Sequence, residues 1–245
     1  MKRNAFLCRR WLPVAALLVI AGTVDGSAQQ PPSHPDAVIS LQQEDGAVMI
    51  QLTVGLLRVK PCEGEMARVT YVPGSTIPDL SNPAIADAAC VAAPFSVHEA
   101  PGEIEIAASA LHIRVNRSSG AVRFSDAQDH PMLAETDWPY PRLVTATVTD
   151  GQPAHEASVW FALTPEERLY GLGQHQAGIL NQRNTDLVLS QDNTNISIPF
   201  FLSSAGYGVL WNSASVTDWN NRFRQVVAIR SNCADAVDYY YIAGP

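Results

Sequence analysis

The sequence predicts an all-β fold, an antiparallel sandwich or barrel. Three observations predict it. Apolar and polar residues alternate with period two, turn residues recur every 8 to 12 positions, and no stretch after residue 28 holds a helical period over 12 residues.

The elements follow in order. Residues 38–41 read as a strand, closed by a turn at Glu44-Asp45-Gly46. Val48, Ile50 and Leu52 alternate, and Leu56, Leu57 and Val59 follow before Pro61 and Gly64 break the run. Residues 67–72 form another strand, ended by Pro73-Gly74. The span 75–101 is loop-rich, with Pro78, Asn82-Pro83, Pro94 and Pro101. The clearest hairpin comes next. Ile104 and Ile106 alternate with glutamates, Leu111, Ile113 and Val115 alternate with His112 and Arg114, and Ser118-Ser119-Gly120 turns the chain into Val122 and Phe124. Short strands then follow at 143–148, 158–163, 187–190, 196–202, 208–211, 225–230 and 237–242. The chain closes on Ala243-Gly244-Pro245, which reads as a domain edge.

The first residues point to a compartment. Lys2, Arg3, Arg9 and Arg10 precede the apolar run 11–24, and Gly26-Ser27-Ala28 supplies small residues. That order is a secretory signal peptide over 1–28, cleaved near Ala28, followed by a flexible leader at 29–37 and a sandwich from 38 to 245. Pro13 and Gly22 interrupt a run already short for a membrane span, and an uncleaved anchor is the alternative. Cys8 precedes the apolar run rather than following it, which disfavours a lipoprotein. The expected location is secreted or periplasmic.

Charge excludes some partners. The whole chain has 16 Lys+Arg, 24 Asp+Glu and a net charge of −8. Cleavage removes four basic residues and Asp25, leaving 12 against 23 and a net of −11. Such a surface argues against nucleic acid and anionic membranes. Charged residues are only 16% of the chain, which indicates a substantial core. Cys62, Cys90 and Cys233 remain after cleavage. Cys62 and Cys90 either close a loop in an oxidising compartment or stay buried thiols. No spacing matches a zinc site, so no metal and no cofactor are expected.

The densest motif is Leu169-Tyr170-Gly171-Leu172-Gly173-Gln174. Its glycines permit a tight strand exit or bulge; without a third glycine or a βαβ context it is not a nucleotide loop. This LYGLGQ run, then LSQDNTNISIPFFLSSAGYGVLWNSAS, then NNRF, resembles the N-terminal domain of glycoside hydrolase family 31. Upstream, LHIRVNRSSGAVRFSDAQDHPMLAE resembles that family's hairpin, and AVDYYYIAGP resembles the segment that closes the domain. The resemblance covers roughly residues 45 to 245.

The resemblance implies a galactose-mutarotase-like β-sandwich, or supersandwich. It also implies a retaining α-glycosidase of the α-xylosidase or α-glucosidase type. That chemistry needs one carboxylate as nucleophile and one as general acid/base. In the family both lie in a catalytic barrel after this domain, so no residue here is assigned a catalytic role. The chain is expected to be inactive alone, with the barrel downstream or on a separate chain and an α-glycoside or oligosaccharide as ligand. In the family one loop of the sandwich leans over the barrel mouth. The matching segment is about 174–193, with Gln176, Asn181, Arg183, Asn184, Asp186 and Gln191 as candidates for sugar hydroxyls. Arg183, Asn184 and Asp186 are the preferred three; the alternative is that these side chains cap turns.

The aromatics are weighed likewise. Tyr207 and Trp211 suit core packing, whereas Trp219 and Phe223 are candidates for stacking on sugars, with Trp219, between Asp218 and Asn220, expected to be exposed. Trp138 and Tyr140 suit a rigid proline-packed loop. Two other functions stay open: a stand-alone carbohydrate-binding sandwich and an aldose epimerase. An epimerase pairs a His with a Glu base; His175 follows LYGLGQ, but no glutamate follows Glu167, leaving the distant Glu135. Finally, a face that packs on a barrel should leave the isolated domain with an apolar patch.

Overall fold

The computed structural model describes residues 36–86, 90–136, 142–149, 152–222 and 225–244. The leader 1–28, positions 29–35, Trp138, Tyr140 and Phe223 lie outside the described residues.

Two antiparallel sheets stack face to face. The first runs β1 (Val38–Glu44), β2 (Ala47–Leu52), β3 (Gly55–Cys62), β4 (Met66–Val72), β18 (Val237–Ala243), β15 (Tyr207–Trp211), β14 (Ile196–Ser203) and β12 (Leu169–Gln174). The second runs β13 (Asp186–Leu189), β16 (Thr217–Asn220), β17 (Val226–Ala234), β11 (Gln152–Ala162), β9 (Pro131–Glu135), β8 (Val122–Asp126), β7 (Leu111–Asn116), β6 (Glu103–Ala108) and β5 (Phe95–Glu99). β10 (Leu143–Thr149) pairs with β11 beside this path. The predicted all-β sandwich is therefore present.

Alternation decides which residues face inward. Val48, Ile50 and Leu52 of β2, Ile104 and Ile106 of β6, and Leu111, Ile113 and Val115 of β7 are all buried in one core. Four strands escape the sequence pattern. β5 lies within the span predicted as loop, β9 and β16 are only five and four residues long, and β12 carries two glycines.

The core is laced by aromatic rings from both sheets. Phe161 meets Tyr239 edge-on at 5.3 Å, and Tyr239 meets Phe124 at 6.5 Å. Phe124 stacks on Tyr241 at 4.2 Å, Tyr241 lies 6.1 Å from Tyr207, and Phe201 joins Tyr207 to Trp219. Phe124, Phe161 and Trp219 come from one sheet; Tyr207, Tyr239, Tyr241 and Phe201 come from the other. Such pairs add roughly 0.5–1.5 kcal/mol each beyond their area.

Two glutamates take up the Tyr239 and Tyr207 phenols, while the buried Tyr241 hydroxyl has no partner among the described residues. Tyr239 donates to Glu135 Oε1 at 2.8 Å, while Glu135 Oε2 accepts from Arg142 at 2.6 Å and from the Val122 amide at 3.0 Å. Burial alone would lower the Arg142 guanidinium, but Glu135 and then Asp36 raise it above its ordinary value. Burial, then the Glu135 charge, drive the Tyr239 phenol well up, so it stays a donor. Glu167 repeats the arrangement, accepting from Tyr207, from Ser203 Oγ at 2.5 Å and from the Thr164 amide at 2.9 Å.

The loop after β4 is tied back to its sheet. Cys62 and Cys90 form a disulfide across a sequence separation of 28, and the Glu63 amide donates to Val91 O at 2.8 Å. Of the two states left open for these cysteines, the bonded one is present; Cys233 is free and exposed. Ile77 and Leu80 of this loop pack on Leu56 and Val72, outside the main core.

Two stability predictions follow from these ties. Glu135→Ala leaves the buried Arg142 with the more distant Asp36, at 3.7 Å, as its counter-charge and should cost about 3–5 kcal/mol, read as a lower urea midpoint. Cys90→Ser should cost about 3–4 kcal/mol by loop entropy; a reductant should then lower the melting temperature of the native chain but not of the variant.

Candidate functional site

Local backbone geometry shapes the entry to the predicted loop. Gly171, Leu172 and Gly173 all have positive φ, at 111°, 66° and 94°. Pairing of β12 with β14 shifts register between Gly171 and Gly173, so this is a bulge. A Cβ on Gly173 would meet Ile196 O at 1.9 Å, and one on Gly171 would meet Phe200 O at 2.6 Å. Leu172 tolerates the strain because its side chain is fully buried in the core. The glycine motif is thus a backbone device, as its spacing predicts.

The loop beyond β12 is held by its own amides. Asn181 Oδ1 accepts from the backbone N–H groups of Leu169 and Arg183 at 3.0 and 3.1 Å. Gln182 Nε2 donates to Ile179 O at 2.8 Å, and Gln191 Nε2 donates to Ser197 O at 2.8 Å. Asn181 and Gln191 therefore serve turns. The buried Asn221 of the NNRF motif latches the loop from outside, accepting from the Asn184 amide at 2.8 Å and donating to Val226 O at 2.8 Å.

The three preferred residues separate. Asp186 opens β13 and lines a groove of about 480 Å³ on the outer face of the second sheet. Arg183 and Asn184 sit in the preceding turn and do not line it. Asn184 is exposed with φ 61°, and Arg183 keeps one buried guanidinium nitrogen with no hydrogen bond among the described residues.

The groove contains residues the sequence reading passed over. Trp160 of β11 lines it together with Asp218, Asn220 and Arg230. Its acids are held by arginines: Arg222 Nε lies 2.6 Å from Asp186, and Arg230 donates to Asp218 at 2.9 Å. Both pairs are well solvated, worth at most about 1 kcal/mol, so they orient more than they stabilise. An indole face flanked by amide, carboxylate and guanidinium groups can take a hydroxylated ring. The signal for Trp160 was the alternation of SVWFA, in which Val159 and Phe161 face the core.

Trp219 requires correction. It is 1% exposed and packs on Phe201 at 5.0 Å. Its polar neighbours misled: in β16 the outward positions are Asp218 and Asn220, so Trp219 must point inward. Tyr207 and Trp211 are core residues as expected. The epimerase candidates His175 and Glu135 each have other partners. Glu135 is buried and engaged by Arg142 and Tyr239, while His175 Nε2 donates to Leu172 O at 2.8 Å.

Residues 56–220 match the family described as the glycosyl hydrolase 31 N-terminal galactose mutarotase-like domain. The chain belongs to that family. The family 31 N-terminal domain is similar to part of an α-xylosidase from Saccharolobus solfataricus, 39% identical over 93 residues, covering 34% of this chain and 13% of that protein. Two solved structures share its fold. A glycoside hydrolase 31 dextranase from Flavobacterium johnsoniae, complexed with glucose, aligns with a TM-score of 0.70 at 19% identity, over 86% of this chain and 26% of that one. An α-xylosidase of the same family from a soil metagenome, complexed with xylose, aligns at 0.69 and 22%, over 84% of this chain and 32% of that one. The chain thus spans a third or less of these relatives.

One prediction tests the bulge. Gly173→Ala should break β12–β14 pairing, lowering the melting temperature and speeding amide exchange at 169–174, whereas Gly74→Ala, which meets nothing within 4 Å, should not.

Proposed function

We propose that this chain is the accessory sandwich of a secreted, retaining α-glycosidase of the α-xylosidase or α-glucosidase type, and hydrolyses nothing by itself. The observation that carries the reading is an apolar stripe on β14. Ile196, Ile198 and Leu202 are 56, 50 and 49% exposed, on the strand that follows the Asp186 segment. A row of bare aliphatic side chains on an outer sheet face suits a large partner, and a catalytic barrel, downstream or on another chain, is that partner. Its ligand would be an α-glycoside whose rim contacts include Asp186, with Arg183 and Asn184 on the adjoining turn. The names of the α-xylosidase relatives support the substrate class. The Cys62–Cys90 disulfide supports an oxidising compartment, consistent with the leader 1–28 as a signal peptide.

The described acids support inactivity alone. Retention needs two carboxylates about 5–5.5 Å apart flanking one bond, one of them free to attack. In the groove Asp186 and Asp218 are each held by an arginine, elsewhere Glu105 and Asp129 share Arg114, and the buried Glu135, Glu167 and Asp238 are engaged by hydrogen bonds.

The Trp160 groove favours a second reading, a sandwich that binds carbohydrate alone. Two measurements separate them. The purified chain should release no p-nitrophenol from the α-xyloside or α-glucoside, and should self-associate less once Ile198 and Leu202 are changed to Ser. Turnover by the chain alone would sink the first reading. Calorimetry with xylo- and gluco-oligosaccharides decides the second: heat that Trp160→Ala abolishes would carry it, and no heat would remove it.

A further inference from the structure

The outer face of the first sheet holds a hollow of about 300 Å³, walled by segment 77–82. Arg58 and Lys60 reach it together, being two residues apart on β3, while Leu57 and Val59 face the core. Arg68 lies opposite Lys60 across β3–β4, and Tyr240 lies opposite Arg68 across β4–β18. All four side chains line the hollow.

Among the described residues, Arg58, Lys60 and Arg68 face two carboxylates, Asp238 and Asp79. Asp238 beneath it is fully committed. It accepts from Arg68 Nε at 3.0 Å and Arg68 Nη2 at 2.7 Å, and from Thr70 and Asn212 at 2.8 and 2.6 Å. Asp79 on the wall accepts from the Ser81 amide at 2.9 Å. Among the described residues, neither Arg58 nor Lys60 forms an ion pair, and Arg58 Nε is buried without a hydrogen bond. Burial, then the neighbouring charge of Arg68, hold the Arg58 guanidinium below its ordinary value.

We propose that this hollow is an oxyanion site, with Arg58 and Lys60 as its ligands. A guanidinium lining the hollow can offer paired N–H donors that match the two oxygens of a carboxylate or phosphate, and the ammonium adds a point charge. An arriving anion supplies the counter-charge that Arg58 and Lys60 lack among the described residues. Both cations stand out on a chain of net charge −8, so the attraction is local. The space suits a small molecule better than a bare ion, which favours the carboxylate of an acidic sugar over inorganic phosphate. The site is on the other sheet from the Trp160 groove, so either can fail without the other.

The test is calorimetry on the full chain in low-salt neutral buffer, with glucuronate, glucose and inorganic phosphate as separate titrants. Glucuronate should bind and glucose should not. Arg58→Gln and Lys60→Gln should each weaken glucuronate about tenfold, equivalent to about 1.4 kcal/mol. Trp160→Ala should leave that binding unchanged. Lys60 is the less encumbered position, so its variant reports on binding if the Arg58 variant melts early. Phosphate binding with the same dependence on Lys60 supports an oxyanion site, and phosphate without glucuronate excludes the acidic sugar. No binding of either anion, or binding indifferent to Lys60→Gln, overturns the proposal.

Discussion

Tyr239 and Tyr207 sit at the centre of the sandwich with their hydroxyls held by glutamates, and much of this structure follows from those two bonds. Tyr239 comes from the first sheet and Glu135 from the second, so their hydrogen bond ties the layers directly. The buried Glu135 in turn accepts from Arg142, which immediately precedes β10. The aromatic chain from Phe161 to Trp219 then has a fixed register, because its central rings cannot slide without breaking the polar cluster.

Glu167 performs the same service at the other end of the core. It holds Tyr207 and Ser203 from beneath β14 and β15, and it lies two residues before β12. Packing at the centre is thereby transmitted to the bulge at Gly171–Gly173 and to the start of the Asp186 loop. The loop's position is a consequence of how two phenols are satisfied.

The sequence revealed the fold through its longest alternations: the 104–124 hairpin, 48–52 and 196–202 announce themselves because one face is apolar and the other is not. β16 did not, since three of its four residues are polar and its inward tryptophan looks like a surface residue when its neighbours alone are considered. β12 was hidden by glycines that serve a bulge. In the site, Asp186 was legible because an acid in a polar loop draws notice. Trp160, Arg222 and Arg230 were not, since they reach Asp186 or its groove only through the β13–β16–β17–β11 pairing, which no local pattern encodes. Asn221 looked like loop polarity, yet it is a buried latch whose partners lie up to 37 residues away.

β12 is the last strand of its sheet and β13 the last of the other. The segment between them therefore spans the open side of the sandwich, anchored at both ends to edges rather than to central strands. Changes that spare the Asn181, Gln182 and Asn184 ties leave the central ladders of both sheets untouched. Such a hem can be recut many times over evolutionary history while the cloth stays whole, and the outline presented to a ligand can diversify faster than the scaffold that displays it.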